Sequence, residues 1–267
     1  MAPFRSRIRR VALLLALLPL SASALAAMQS RPLEWSVGDQ AFSGVLVYDD
    51  ASSDQRPGLV MVPDWMGVTD AAVAQARDVA GDDYVILVAD MYGKGVRPRN
   101  GDEAQAQVKT LYADPAAMRA RAAKAVEVLK AQAGKSPLDA SRIGAFGYCF
   151  GGSSVLELAR SGAQLAGIVT FHGGLSTTTP AKPDAVQTPL LVLNGADDRG
   201  IAPDIAGFEK EMDAAGADWT FVNFSGAVHC FALKAANRPP GCVYDPRAAK
   251  RAYRMMEGFF DERFGED

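Results

Sequence analysis

Cys149 stands in Gly147-Tyr148-Cys149-Phe150-Gly151-Gly152, directly after the apolar run 142–146 and before a helix-forming segment. This is the Gly-x-Ser-x-Gly nucleophile elbow with Cys in place of Ser. A strand-to-helix turn this sharp leaves no room for a Cβ beside the nucleophile, which accounts for the flanking glycines. It also aims the thiol into a cleft, with a helix N-terminus beneath it. The positive end of that helix favours the thiolate, the nucleophilic form of cysteine. A lone cysteine is most often a small buried hydrophobe. The place of this one between a strand and a helix argues for catalysis instead.

Nucleophilic catalysis needs a base and a group that orients it. The run 189–194 ends in Gly195-Ala196-Asp197-Asp198, and Gly-x-x-Asp spacing selects Asp198 as the acid, with Asp197 read as a turn residue. The run 219–224 is followed by Ser225-Gly226-Ala227-Val228-His229, so one of only two histidines sits in a loop just past a strand end. Nucleophile, acid and histidine at 149, 198 and 229 follow the α/β-hydrolase order. An oxyanion hole would take the N–H of Phe150, after the nucleophile, and that of Trp65, in the loop Pro63-Asp64-Trp65-Met66-Gly67. Asp64 would stand near Cys149, either serving the thiol or simply making a turn. His172, before Gly173-Gly174, reads as a structural histidine bonding a loop carbonyl.

These residues depend on the elements that carry them. Short continuous apolar runs at 58–63, 84–89, 142–147, 166–171 and 189–194 are the texture of strands buried on both faces, and 219–224 is a further strand. Alternating segments at 33–37 and 42–48 around Gly38-Asp39 predict an antiparallel hairpin. Helical spacing predicts helices over 70–80, 102–112, 116–131, 152–161 and 203–215, and a last one opened by Asp245-Pro246. Strand–helix alternation argues a mostly parallel, doubly wound α/β sheet led by the hairpin, in which ligands bind at the carboxyl ends of the strands. No linker or repeat divides 27–267, which reads as a single domain.

The first 26 residues read as an address. Arg5, Arg7, Arg9 and Arg10 precede an apolar run from Val11 to Leu20, and small residues stand at Ala24 and Ala26. That is the layout of a signal peptide, too short in its apolar part to span a bilayer. The expectation is an exported protein, periplasmic or secreted, with no membrane attachment after cleavage. Without those residues 24 basic side chains face 31 acidic ones, which gives no support to a nucleic-acid partner. Three cysteines cannot build a zinc ribbon. In an oxidising compartment Cys230 and Cys242, separated by the turn Asn237-Arg-Pro-Pro-Gly241, are expected to pair.

Taken together, Val62-Pro-Asp-Trp-Met-Gly-Val68, Ala89-Asp-Met-Tyr-Gly-Lys-Gly95, Gly147-Tyr-Cys-Phe-Gly-Gly152, Phe171-His-Gly-Gly174, Gly195-Ala-Asp-Asp198 and Val228-His-Cys-Phe231 resemble the dienelactone hydrolase family of α/β-hydrolases. The likeness spans nearly all of 27–267. It implies an ester or lactone hydrolase with a Cys-His-Asp triad, here Cys149, His229 and Asp198, and no metal or cofactor. Where the family's dienelactone enzymes have a glutamate that helps generate the thiolate, this chain has Asp64. Where they bind a substrate carboxylate with two arginines, it has Lys94 and Leu233. The substrates expected are therefore small esters or lactones of low charge. An acyltransferase or thioesterase on the same triad, and a non-catalytic small-molecule binding protein, are the rival readings.

Overall fold

The computed structural model describes residues 28–265; the expected signal peptide lies outside them. Ten residues each from Met28–Val37 (β1) and Gln40–Asp49 (β2) pair as an antiparallel hairpin, turning at Gly38 with φ 55°. The pairing begins five residues before the alternating pattern does, because main-chain register continues from Leu33↔Gly44 back to Met28↔Asp49 whatever the side chains are.

The apolar runs become β3 (Arg56–Val62), β4 (Val85–Val88), β5 (Leu138–Tyr148), β6 (Ile168–Phe171) and β7 (Leu190–Gly195), and Trp219–Phe224 becomes β8. The eight strands lie in the order β1-β2-β4-β3-β5-β6-β7-β8. β2 meets β4 antiparallel, and every pairing from β4 to β8 is parallel. Every residue of β3, β4, β6 and β7 is buried, as strands covered on both faces must be.

The covering helices are α1 (Asp70–Ala80), α2 (Gly101–Tyr112), α3 (Pro115–Lys130), α4 (Phe150–Arg160), α5 (Ile205–Ala214) and α6 (Pro246–Phe264). Their starts are chemically marked. Thr69, Asn100, Asp114 and Asp245 each accept a first-turn N–H through the side chain. One apolar cluster joins α3, α4 and α5 to one face of the sheet; the other joins α1 and α6 to the opposite face. The segment expected as a helix from 203 starts with a 3-10 turn at Ala202–Asp204 and is α-helical only from Ile205. The turn between Cys230 and Cys242 contains a two-residue ladder, β9 (Asn237–Arg238) with β10 (Cys242–Val243).

Candidate active site

Cys149 occupies the break between β5 and α4 with φ 53° and ψ −116°. A side chain other than glycine adopts such a conformation only when its surroundings impose it, at a cost on the order of 1–3 kcal/mol. Here the N–H of Cys149 donates to the Phe171 carbonyl at 3.0 Å, and its own carbonyl accepts from the Ser153 N–H at 3.1 Å. The flanking glycines make the turn sterically feasible. A Cβ on Gly147 would run into the Gly151 carbonyl, and one on Gly151 into the Val62 carbonyl.

The carboxyl ends of β7 and β8 bring two further groups to the thiol. His229 Nε2 lies 3.1 Å from Cys149 Sγ, and His229 Nδ1 lies 2.6 Å from Asp198 Oδ2. Asp198 is buried, and its other oxygen accepts the Gly200 N–H at 3.1 Å. Asp197 is exposed, and its N–H donates to the Ala227 carbonyl. Burial alone would lower the His229 pKa. Its hydrogen bonds to Asp198 and to Cys149 outweigh that and push it up to about 10. An imidazolium therefore stands between the Asp198 carboxylate and the sulfur.

The loop after β3 faces the same thiol. Met66 N–H donates to Asp64 Oδ1 at 2.9 Å and Gly67 N–H to the Asp64 carbonyl at 2.9 Å, which fixes a tight turn. Tyr92 OH donates to the Trp65 carbonyl at 2.8 Å. The N–H groups of Trp65 and Phe150 meet no acceptor among the described residues, so both are available to a ligand oxygen. Asp64 makes the expected turn, and among the described residues it is His229 that stands within hydrogen-bond distance of the thiol. Burial raises the Asp64 pKa, partly offset by the Met66 N–H and by the positive charges of Arg238 and His229.

Asp64, Trp65, Cys149, His229 and Leu233 all line one cavity of about 1050 Å³. Lys94 does not. Its ammonium is paired with Glu34 on β1 at 2.8 Å, half exposed and away from the thiol, so the expected substrate-binding lysine is a surface ion pair. His172 also departs from expectation. Among the described residues neither ring nitrogen has a hydrogen-bond partner, so it does not bond a loop carbonyl. Its ring is instead fully buried and packs edge-on to His229, with centroids 5.0 Å apart, and to Phe231 at 5.4 Å. Burial first, and the charge of His229 second, hold it neutral.

Arg238 escaped the sequence reading. Its guanidinium lies 5.3 Å from the Trp65 ring centroid at the mouth of the cavity. The only signal was its position inside the Asn-Arg-Pro-Pro-Gly turn, which says nothing about where the turn folds back. The Cys230–Cys242 disulfide is formed, with Cα atoms 5.0 Å apart, and the Val243 N–H donates to the His229 carbonyl at 3.1 Å. The segment 230–243 thus forms a strap that begins beside His229, passes over the cavity and is clamped back onto it.

A sheet of this order, with a nucleophile on a strand–helix elbow and its partners at the ends of later strands, defines an α/β-hydrolase. Comparison with known proteins narrows the class. Residues 42–264 match the dienelactone hydrolase family, and the chain belongs to it. It is 35% identical to the solved structure of a protein named m3DLH, with a TM-score of 0.81 over 89% of this chain and 99% of that one. It is 34% identical to a dienelactone hydrolase-like promiscuous phosphotriesterase from metagenomic libraries, with a TM-score of 0.83 over 90% of this chain and all of that one. An uncharacterized protein of Caenorhabditis elegans is 30% identical over 135 residues, which are 48% of this chain and 84% of that protein. The chain is by class an ester hydrolase.

Proposed function

We propose that this enzyme hydrolyses carboxylic esters or lactones through an acyl-thioester on Cys149. The observation that carries the reading is the unbroken line from Asp198 through His229 to the sulfur, at 2.6 and 3.1 Å. Sγ attacks the carbonyl carbon, and the electron pair of the C=O moves onto oxygen. The Trp65 and Phe150 N–H groups receive that oxyanion, each donor worth about 3–4 kcal/mol in the transition state. As the tetrahedral intermediate collapses, His229 Nε2–H gives its proton to the departing alkoxide. Water then attacks the thioester, His229 takes the proton of that water, and the thiolate leaves. Asp198 holds the Nδ1–H, so the ring that has given up its Nε2 proton presents a bare Nε2 to the attacking water.

Release of nitrophenol from p-nitrophenyl acetate by the purified protein tests this. Cys149→Ala is expected to abolish turnover with an unchanged circular dichroism spectrum, and His229→Ala to lower it by about 10²–10⁴. Wild-type rates in the Cys149 variant would remove the thiol from the mechanism. Products formed with added alcohols or thiols separate hydrolysis from acyl transfer on the same triad. We further infer export, supported by the basic and apolar pattern of residues 5–26 and by a disulfide of the kind that persists in oxidising compartments.

A further inference from the structure

The cavity that holds Cys149 is larger than a short ester requires, because it continues away from the thiol between α1 and α6. One wall is the face of α1 that carries Ala71, Ala74 and Val79; the other is α6 at Tyr253 and Met256; Leu233 of the strap covers the passage. The wall runs from Thr69, next to the catalytic loop, to Val79. At 1.5 Å per residue that is about 15 Å, the reach of an extended acyl chain of about a dozen carbons.

The polar groups along the inner part of this extension are occupied by one another. Gln75 Nε2 donates to the Tyr253 hydroxyl at 2.9 Å, and that hydroxyl bonds Tyr148 OH at 2.8 Å. Lys234 and Asp78 pair at 2.6 Å across the outer end, where Glu257 also lies and the walls meet water. A sugar or peptide entering here would lose hydration at groups that find few free partners, whereas an alkyl chain needs none.

From this continuity between an apolar passage and the catalytic cavity we propose that the α1–α6 groove is a binding site for an extended apolar chain of the ester substrate. The proposal rests on the ester-hydrolase reading above and names its substrate class: neutral esters with a medium or long alkyl chain. Each methylene that leaves water for the groove is expected to raise kcat/KM roughly threefold to fourfold until the groove is filled.

The test measures kcat/KM for p-nitrophenyl esters from acetate to dodecanoate, which lengthen the acyl side, and for alkyl acetates of growing chain, which lengthen the alcohol side. One of the two series should rise by about tenfold or more before levelling. Ala74→Trp, at an exposed position of α1 on the groove wall, should collapse the long-to-short ratio in that series. If both series fall with chain length, or the ratio ignores the tryptophan, the groove assignment is wrong. Calorimetric binding of methyl decanoate to Cys149→Ala separates the two layers of the argument. Binding weakened by Ala74→Trp, in a protein whose wild type cleaves no ester, would keep the groove and overturn the hydrolase reading. Ester turnover without such binding would do the reverse.

Discussion

His229 carries the most informative charge in the molecule. Its pKa rises from an ordinary 6.5 to about 10, because the bonds to Asp198 and Cys149 overcome the cost of burial. A raised folded-state pKa means that the associated stability is complete below about pH 6.5 and is lost as pH climbs through about 10. The same proton is the one delivered to the leaving group. The alkaline limb of kcat/KM is therefore expected near pH 10. Asp198→Asn removes the strongest of the groups that hold that proton, so the limb should move toward neutrality while the rate drops by up to about 10⁴. A pH–rate profile of this variant with an unshifted limb would show that another group holds the proton. Asp197→Asn, altering an exposed side chain outside the line, should change the rate little; the contrast between the two adjacent positions is itself a check on which carboxylate acts.

Among the elements, the strap 230–243 links stability to geometry. It is closed twice, by the Cys230–Cys242 disulfide and by the Val243 N–H on the His229 carbonyl. Cys230 itself has φ 64°, a left-handed backbone that a non-glycine residue holds only under restraint. Replacing both cysteines by alanine frees the loop in the unfolded chain, worth about 3 kcal/mol in the chain-entropy picture. For a protein of this size the melting temperature should fall by about 6–12 °C. Because the anchor of His229 is loosened at the same place, kcat should fall severalfold at temperatures where the variant is fully folded. A variant that melts earlier but turns over at the wild-type kcat would mean that the backbone bond from Val243 suffices. Alkylation of the denatured, unreduced wild type is expected to label only Cys149, the free thiol of the three.

Across the whole molecule, the sheet separates two apolar clusters, and α6 closes the one beneath the groove. Phe260 is fully buried there, against Tyr84, Phe259 and Phe264. Phe260→Ala should cost about 3–5 kcal/mol, read from the denaturant midpoint, with little change in turnover of the folded fraction, since Phe260 does not itself line the cavity. A loss below about 1 kcal/mol would show that the cluster collapses around the vacancy. The eight strands of the main sheet, the six helices and the chain order of Cys149, Asp198 and His229 were legible in the sequence, because each is written locally: an apolar run, a 3-and-4 spacing, a cap, a pair of glycines that only an elbow needs; the short β9–β10 ladder was not. The end of each parallel strand then assigns its loop to the cleft by topology alone. The sequence did not reveal which side chains meet once those loops arrive. Lys94 finds Glu34 sixty residues away, His172 packs on His229 instead of bonding a carbonyl, and Arg238 folds back over Trp65. The passage between α1 and α6 exists only because two helices far apart in the chain stand side by side. Local patterns encode backbone conformation and burial, and the sequence by itself determined those. Partners, charge pairs and cavities depend on how distant elements approach one another, and only the tertiary structure decides them.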